Sequence, residues 1–388
     1  MRIFVLGTGA SGAFLAQLLA RQGHQVTCGD KDPERAQRFL GRKSKLPIVP
    51  VNARNLRGVV RAARGCQLLV NASPAVFNEI ALRAALRLRA HYLDLASHLT
   101  RNPFKAEELG YDKRFAEKRR VAVINAGAAP GLTNLLAARA ANSLDEVEAI
   151  YIRLYEGTEA DDPISQWSHE SAFDEAVSKP RVVRNGRFLL AKRFGEREKF
   201  RFAQPIGEVS VVLAAQDEVG TLPHHIKLRE MDVKFGGNEI DRLRRWYRQG
   251  KLRRSARPNA ARFPRTPTPR QVAHLIHRGV LQNARFAAAV IVRGRRGEQR
   301  LEIRCDVGFP TLYQIRQSGL AVTPISYATA HMAALFIQYL PRSVYGVFSP
   351  DALPAETRQA VLARARQRFA ITARSSRLKE EMVELELL

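Results

Sequence analysis

The feature that most constrains the fold of this sequence is the glycine pattern G-x-G-x-x-G formed by Gly7, Gly9 and Gly12. It directly follows the apolar run Arg2–Leu6, which is long enough for a buried parallel strand and too short for a helix. In that setting Gly7 permits a tight turn, Gly9 lets the backbone approach a pyrophosphate, and Gly12 lets the next helix pack closely on the strand. The pattern therefore predicts a strand–turn–helix unit whose helix N-terminus faces an anion.

A second strand, Gln25–Gly29, ends at Asp30, about 20 residues past the glycines, where a carboxylate can accept hydrogen bonds from both ribose hydroxyls. Strand, helix, strand and acid together predict a bound NAD-type cofactor. NAD is favoured and NADP is the alternative, because Asp30 would repel a 2′-phosphate whereas Lys31 and Arg35 would attract one. We expect the remaining cofactor contacts at Ala10 and Ser11 in the glycine loop, at Asn52 near the adenine, and at Ser73 and Pro74 near the nicotinamide.

Strand-like and helix-like segments alternate up to about Asn125, as repeated βαβ units require. Parallel strands of such a sheet bind their ligands at their carboxyl ends. Three further strands end near Ser73, near Asp94 and at Asn125, so the sequence predicts that these residues meet at the edge that carries the glycine loop.

The pattern changes after Pro130. A long alternating strand, Glu146–Glu156, is followed by a hairpin over Arg181–Leu190 with Asn185-Gly186 at its turn, and a second hairpin spans residues 287–306. These elements predict an antiparallel sheet with helices on one face, and so an α+β region. Helices are expected again over Ile325–Leu340 and Pro354–Phe369, before a charged tail, Ala373–Leu388, that we expect to be partly disordered.

The charge is unusual for a chain of ordinary globular composition. The 388 residues carry a formal net charge of +26, and Asp241–Arg270 holds eleven basic residues against one acidic residue. Arginines interleaved with Trp246 and Tyr247 are typical of a single-stranded nucleic-acid surface. A solvated helix face in an arginine-rich protein also explains them, and this interpretation is favoured. Nucleic-acid binding is therefore not expected, although the basic strip leaves it open. Three widely spaced cysteines without metal-ligand spacing predict a cytoplasmic, reduced protein with no metal site, and no apolar run is long enough to span a membrane.

Several motifs resemble the saccharopine dehydrogenase family, and within it the lysine ε-dehydrogenase-like branch. The resemblance runs in order along almost the whole chain. Its main motifs are GTGASG (Gly7–Gly12), VNASPAVFNEIALRAAL (Val70–Leu86), HYLDLASH (His91–His98), INAGAAPGLTNLL (Ile124–Leu136), WSHESAFDE (Trp167–Glu175) and TPISYATAHMAAL (Thr323–Leu335).

This resemblance implies a split fold. Residues 1–125 would form a Rossmann dinucleotide-binding domain that C-terminal helices in 323–388 complete, and residues 126–322 would form an inserted α+β domain for substrate binding and dimerisation. Members of the family oxidise or form a C–N bond of an amino acid with NAD or NADP, so the resemblance also implies a homodimeric oxidoreductase acting on a small amino-acid substrate.

One motif departs from the family. Where the family tends to have a basic–aromatic–Pro–Gly–His run, this chain reads Lys234-Phe235-Gly236-Gly237-Asn238. Lys234, whose charge is compact, stands where the family tends to have a planar arginine. Asn238 stands at the histidine position, and asparagine cannot exchange protons near neutral pH. Both changes put a lysine-type substrate in doubt.

The candidate catalytic residues are Asp94, which could bind or deprotonate the substrate ammonium if burial raises its pKa, and His98, which could relay a proton. Lys234 could hold a substrate carboxylate, and Trp167 and Glu170 could line the substrate site where a strand passes into a helix. Each has a structural alternative. Asp94 could cap a loop, His98 could be bonded to the backbone, and Lys234 could be a surface charge. Trp167 could lie in the core, and Glu170 could complement the N-terminus of a helix.

We therefore expect an NAD(P)-dependent oxidoreductase that transfers a hydride between the nicotinamide and an amine-bearing carbon of an amino acid. Two alternatives stay open. One is a reductase that condenses an amine with an aldehyde, as in the formation of carboxylated polyamines or opines. The other is a non-catalytic cofactor-binding protein with affinity for polyanions.

Overall fold

The structure is a computed structural model that describes residues 1–162, 164–252 and 264–378. Its strands are β1 (Arg2–Leu6), β2 (Gln25–Asp30), β3 (Ile48–Pro50), β4 (Leu68–Asn71), β5 (His91–Asp94), β6 (Val121–Val123), β7 (Glu146–Ala160), β8 (Arg181–Arg184), β9 (Arg187–Leu190), β10 (Glu198–Arg201), β11 (Glu208–Leu213), β12 (Glu230–Gly236), β13 (Leu281–Arg296), β14 (Gln299–Gly308), β15 (Gly346–Phe348) and β16 (Ala370–Arg377).

The helices are α1 (Ala10–Arg21), α2 (Pro33–Leu40), α3 (Leu56–Ala62), α4 (Asn78–Leu88), α5 (Asp112–Glu117), α6 (Leu132–Ala141), α7 (His169–Val177), α8 (Asn238–Arg248), α9 (Pro269–His277), α10 (Leu312–Gln317), α11 (Pro324–Gln338) and α12 (Ala355–Arg368). Short 3₁₀ turns accompany them, of which Glu107–Tyr111 and Glu218–Gly220 matter below. None of the helices in the described ranges has the length and apolarity needed to cross a membrane.

The N-terminal strands form one parallel sheet in the order β15-β6-β5-β4-β1-β2-β3, which we call the Rossmann sheet. The strand order reverses between β1 and β4, because β2 lies on one side of β1 and β4 on the other. Ligands of such sheets bind at the carboxyl ends of the strands beside this reversal. The α/β fold with a Rossmann sheet and a second sheet is thus confirmed.

The second sheet runs in the order β10-β11-β12-β7-β13-β14-β16, with the β8–β9 hairpin attached to β12. Both hairpins predicted from the sequence are present, as β8–β9 and β13–β14. The expectation of a purely antiparallel sheet is wrong, because β12 pairs with β7 in parallel. The chain between these two strands is long enough for the crossover that a parallel pair requires.

The C-terminal segment contacts both sheets. Helix α11 packs on α1, where Tyr327 stacks on Phe14 with ring centroids 5.7 Å apart. Residues Ala370–Arg377 form β16 and pair with β14, so the prediction of a partly disordered tail over Ala373–Leu388 is wrong for its first five residues. Alternation explains the strand, since Ile371 and Ala373 lie on one face and the polar residues between them on the other. Residues 379–388 lie outside the described part of the chain, and the division into domains stays a prediction.

One continuous apolar core holds the two sheets together. It includes Ile3 and Val5 of β1, Leu135 of α6, and Ile152 and Val233 of the second sheet, all at most 2% exposed. A separate cluster around Phe4, Tyr92 and Phe115 fills the other face of the Rossmann sheet. The carboxyl edge of the Rossmann sheet is therefore held against the segments that link it to the second sheet.

Candidate active site

The glycine loop is packed tightly at two glycines and open at the third. A Cβ atom on Gly7, whose φ is +91°, would lie 2.5 Å from the backbone nitrogen of Ser73, and one on Gly12 would lie 2.0 Å from the carbonyl oxygen of Gly7. At Gly9 the nearest atom to such a Cβ is the Arg35 Nη2, 3.9 Å away. The loop therefore presents bare backbone above Gly9, the cradle that a pyrophosphate needs.

Helix α1 begins directly at this opening. Its N-cap residue is Gly9, which offers no capping side chain, and Ala10 and Ser11 are only partly buried. The first backbone amides of a helix lack intrahelical partners and carry the positive end of the helix dipole. The residues present thus fit a dinucleotide, and they would hold its phosphates through backbone N–H groups.

Asp30 is anchored beside the loop. Its Oδ2 accepts a hydrogen bond from the backbone N–H of Thr8 at 2.8 Å, and its Oδ1 accepts one from Asp32 at 3.0 Å. Each carboxylate oxygen keeps a further lone pair for a ribose hydroxyl. Lys31 is exposed next to it. An acid that favours NAD and a cation that favours NADP therefore lie side by side, and the structure does not distinguish the two cofactors.

Three other expected cofactor contacts lie on the same edge. Ser73 touches Gly7 from the end of β4, and its backbone and hydroxyl both donate to the Oδ1 of Asn71 at 3.1 and 2.5 Å. Pro74 follows it as a partly buried residue. Asn52 is exposed just past β3, where its Oδ1 accepts the backbone N–H of Arg54. Their contacts with the nicotinamide and adenine ends of the cofactor stay predictions.

Asp94 ends β5 in the interior, with 1% of its surface exposed. Its Oδ1 accepts the backbone N–H of Asn125 at 2.8 Å, and its Oδ2 makes no hydrogen bond of ordinary geometry among the described residues. The Tyr92 hydroxyl nevertheless lies close enough to lower the pKa of Asp94 as a hydrogen-bond donor. Burial, and after it the neighbouring Glu108 carboxyl, raise the pKa of Asp94 well above its usual range. A carboxyl group whose pKa is raised is a stronger base than an exposed aspartate, as a group that accepts a proton from a substrate needs to be.

Other buried polar atoms around Asp94 also lack partners within the described ranges. They are Ser97 Oγ, Glu108 Oε2, Tyr92 Oη and both side-chain polar atoms of Asn125. Asn125 is fully buried and is held in the left-handed region at φ +57°. Buried polar atoms are almost always paired in folded proteins, and exceptions point to a bound water or ligand. The carboxyl ends of β5 and β6 thus bring buried polar side chains together at the edge of the Rossmann sheet that carries the glycine loop, and we call this cluster the polar pocket.

Two carboxyl groups that sequence analysis missed complete this pocket. Glu108 is 1% exposed, and burial raises its pKa to about 7. Asp217, from the second-sheet region, accepts the backbone N–H of Ser97 at 3.1 Å, and burial raises its pKa to about 6. The charged stretch that follows Lys105 resembles a solvated helix, so no local pattern distinguishes Glu108 from its neighbours. Asp217 could not be found locally, because it is 120 residues from Ser97.

His98 lies near the pocket, but its ring is already engaged. Its Nδ1 is 3.2 Å from the Oε2 of Glu107, and its Nε2 is 2.8 Å from the hydroxyl of Thr100. Its backbone N–H donates to Glu108. The ring points toward the surface loop rather than toward Asp94's free oxygen, so a loop histidine held by its neighbours describes the geometry better than a proton relay.

Trp167 is connected to the glycine loop through α11. The carbonyl oxygen of Gln166 accepts hydrogen bonds from Thr323 and Ser326, and Ser326 is bonded in turn to the hydroxyl of Ser11 at 3.3 Å. Trp167 itself lines a hollow together with Glu156, Phe235, Glu239 and Arg242. Glu170 is exposed in the first turn of α7, where Ser168 donates to it, so it lies farther from the pocket.

Lys234 is not brought to this edge. It lies on the face of the second sheet that points away from the Rossmann sheet, and its Nζ donates to the Oε2 of Glu198 at 2.7 Å. The neighbouring Val233 and Phe235 point to the shared core instead. Because strand residues alternate between faces, the position that the resemblance suggested for a substrate carboxylate faces the wrong side here.

The Asn238 side chain links two secondary-structure elements through hydrogen bonds. Its Oδ1 accepts the backbone N–H of Thr158 at 3.0 Å, and its Nδ2 donates to the carbonyl oxygen of Thr158 at 2.6 Å. The side chain thus joins the start of α8 to the end of β7 in the way a neighbouring strand would. The basic strip 241–270 begins in the same helix; its residues 253–263 lie outside the described residues.

The fold and the glycine loop define a dinucleotide-binding protein built as two-domain dehydrogenases are, with a Rossmann sheet joined to a second sheet. Residues 3–124 match the family model described as the saccharopine dehydrogenase NADP binding domain. The N-terminal part of the chain is therefore similar to the cofactor-binding domain of the saccharopine dehydrogenase family, and the open glycine loop agrees with binding of a nicotinamide cofactor. Bound there, the nicotinamide would supply hydride transfer.

Solved structures extend the likeness beyond that domain. Saccharopine dehydrogenase (L-Glu forming) from Saccharomyces cerevisiae superposes with a TM-score of 0.70, at 10% identity, over 97% of this chain and 100% of that chain. The diaminopimelate (DAP) dehydrogenase of C. glutamicum has a TM-score of 0.46 at 12% identity, over 94% of this chain and 98% of that one. The first match shows that both sheets share the fold of that dehydrogenase.

Proposed function

We propose that this chain is an NAD(P)-dependent oxidoreductase that acts on a C–N bond of an amino acid, with Asp94 exchanging the proton of the substrate nitrogen. The observation that carries the proposal is the partnerless Oδ2 of Asp94, buried among other partnerless polar atoms at the edge where the nicotinamide end of the cofactor would lie. A substrate ammonium would supply the missing donor.

The charges around the pocket favour an amine over an acid at the reacting end. The charged groups that act most strongly on Asp94 are the carboxyls of Glu108 and Asp217, and Arg181 is a cation that acts on Asp217. A cationic nitrogen would be stabilised by these carboxyls, whereas a carboxylate would be repelled. The saccharopine and DAP dehydrogenases in the comparisons carry names of amino-acid substrates, which agrees with this choice.

The hollow lined by Trp167 and Glu156 favours the alternative reaction, a reductive condensation of an amine with an aldehyde. Trp167 and Phe235 supply apolar walls there, and the buried Glu156 supplies a carboxyl whose pKa is raised by burial and by Glu239. A condensing enzyme needs room for two substrates. A preference for the reduced cofactor together with an amine and an aldehyde would distinguish this reaction.

The experiment follows nicotinamide absorbance of the purified chain with NAD, NADP and their reduced forms against amino acids, keto acids, aldehydes and diamines. We expect turnover that Asp94→Asn abolishes while cofactor affinity, measured by a thermal shift, stays within a few-fold. The matched control is Asp241→Asn, an exposed carboxyl in the first turn of α8. Equal turnover in Asp94→Asn would remove Asp94 from the mechanism.

We also infer a homodimer formed through the second sheet. This inference rests on the resemblance described above, because the apolar cluster of Phe202, Val211 and Ala287 on this sheet is already buried within the single chain. A cytoplasmic location remains our prediction, in accord with three cysteines that form no disulfide. Light scattering of the purified chain tests the dimer, and a monomeric mass would refute it.

A further inference from the structure

Helix α8 carries arginines on its exposed side that form no ion pair within the described residues. Arg244 and Arg248 are one helical turn apart, so their side chains lie on the same face, and Arg245 is exposed beside them. Glu239 in the first turn binds Arg242 at 3.0 Å instead. Like charges at this spacing repel each other, so the helix keeps Arg244 and Arg248 at a cost in stability.

The chain between β9 and β10 brings two more arginines to this helix. The guanidinium carbon of Arg193 lies 5.0 Å from the ring centroid of Tyr247, and the ring of Phe194 packs against the same tyrosine at 5.5 Å. Arg197 is exposed further along, and its Nε and Nη2 donate to the hydroxyl of Ser210 at 3.1 and 3.0 Å. The tertiary structure thus adds two basic side chains from a distant part of the chain. We call the five residues the arginine surface: Arg193, Arg197, Arg244, Arg245 and Arg248.

The acids next to the arginine surface are mostly engaged elsewhere. Glu196 binds Arg184 at 2.6 Å, and Glu198 binds Lys234 at 2.7 Å. Glu175 lines a hollow beside the arginine surface, but burial raises the pKa of Glu175 to about 8, so this carboxyl is neutral near pH 7. These three carboxyl groups therefore leave the positive charge of the surface uncompensated.

The electrostatics of Arg244 show the same excess of positive charge. Burial lowers the pKa of Arg244, and after burial the charges of Arg248 and Arg197 lower it further, whereas Asp241 opposes them with a smaller effect. Arg244 is only half-buried, so an anion can reach it from solvent. An anionic ligand at this surface would relieve the repulsion between the arginines.

The residue type and its stacking favour phosphate groups that carry unpaired bases. The planar guanidinium fork binds phosphate oxygens in a bidentate way, which the compact charge of lysine cannot do. A guanidinium plane also stacks on a base, but only where the base is not covered by its neighbours in a duplex. Arg193 is already held on the ring of Tyr247, so its orientation is fixed before a base arrives.

We propose that the arginine surface binds a single strand of nucleic acid, with Arg244, Arg245 and Arg248 on its phosphates and Arg193 against a base. The sequence alone favoured a solvated helix face, and the two arginines from outside the helix are the observation that changes this choice. The surface shares none of its residues with the cofactor edge or with the polar pocket. The inference therefore does not rest on the proposed function, and each can fail without the other.

The test is fluorescence anisotropy of a labelled oligothymidylate, titrated with the full chain over a series of salt concentrations. Each neutralised phosphate contributes about −0.7 to the slope of the logarithm of the binding constant against that of the salt concentration, so the five arginines predict a slope of about −3.5. We expect the double variant Arg244→Gln with Arg248→Gln to reduce the slope to about −2.1 and to weaken binding. The matched control is Arg83→Gln with Arg87→Gln, two exposed arginines one turn apart on α4, which should change neither.

A second variant separates stacking from charge. Arg193→Lys keeps the charge and loses the planar group, so the slope should stay near about −3.5 while the affinity for the oligonucleotide falls several-fold. A DNA duplex of the same length and vesicles of phosphatidylserine complete the comparison, and both should bind more weakly than the single strand. An affinity unchanged in Arg193→Lys or in the α8 double variant, or a duplex or vesicle bound as tightly as the single strand, would overturn the proposal.

Discussion

Replacing Asn238 by alanine distinguishes a structural residue from a substrate-specificity residue at the position where this chain departs from the family it resembles. The change removes the two hydrogen bonds to the backbone of Thr158, of 3.0 and 2.6 Å. Thr158 is 6% exposed, so its N–H and C=O have little access to water, whereas Asn238 itself is exposed. At about 1 kcal/mol for each lost bond, we expect a loss of about 2 kcal/mol in the free energy of unfolding.

The measurement is urea unfolding at equilibrium, read as a lower midpoint at unchanged slope. The control is Arg245→Ala on the exposed side of the same helix, which we expect to change stability by less than about 0.5 kcal/mol. Turnover, once a substrate is found, should fall little in Asn238→Ala when assayed well below its unfolding midpoint. An unchanged midpoint combined with a large loss of kcat/KM would refute the structural role and restore Asn238 to the substrate site.

Three further expectations follow from the described contacts. The Cβ of Gly12→Ala would clash with the Gly7 carbonyl oxygen. This variant should lose the cofactor-induced thermal shift and about 3 kcal/mol in the free energy of unfolding. The control Gly110→Ala, whose Cβ would have no atom within 4 Å, should lose neither. Arg35→Ala should raise the KM for NADP several-fold and leave that for NAD unchanged if Arg35 meets a 2′-phosphate, and equal effects on both cofactors would exclude that contact. Burial raises the pKa of Glu218 to about 7 from its ordinary 4.5, so the folded protein holds a proton that the unfolded chain releases; thermal stability should therefore fall as pH rises from 4.5 through 7, and less so in Glu218→Gln.

The cofactor half of the site was predictable because its determinants are local. A tight turn, a close backbone approach and a helix start need glycines at fixed spacing, and a strand places Asp30 beside them. The same reasoning put Asp94 and Asn125 at one edge, since carboxyl ends of parallel strands converge. It placed both hairpins as well.

The sequence by itself determined the Rossmann sheet, its cofactor edge and the elements of the second sheet, because strand and helix periodicity and glycine spacing act over a few residues. Only the tertiary structure decided that Lys234 faces away from that edge, that Asn238 pairs with the backbone of Thr158, and that β12 runs parallel to β7. It alone brought Glu108 and Asp217 to Asp94. Burial created their raised pKa values, and burial depends on which distant segments pack together, which no local pattern records.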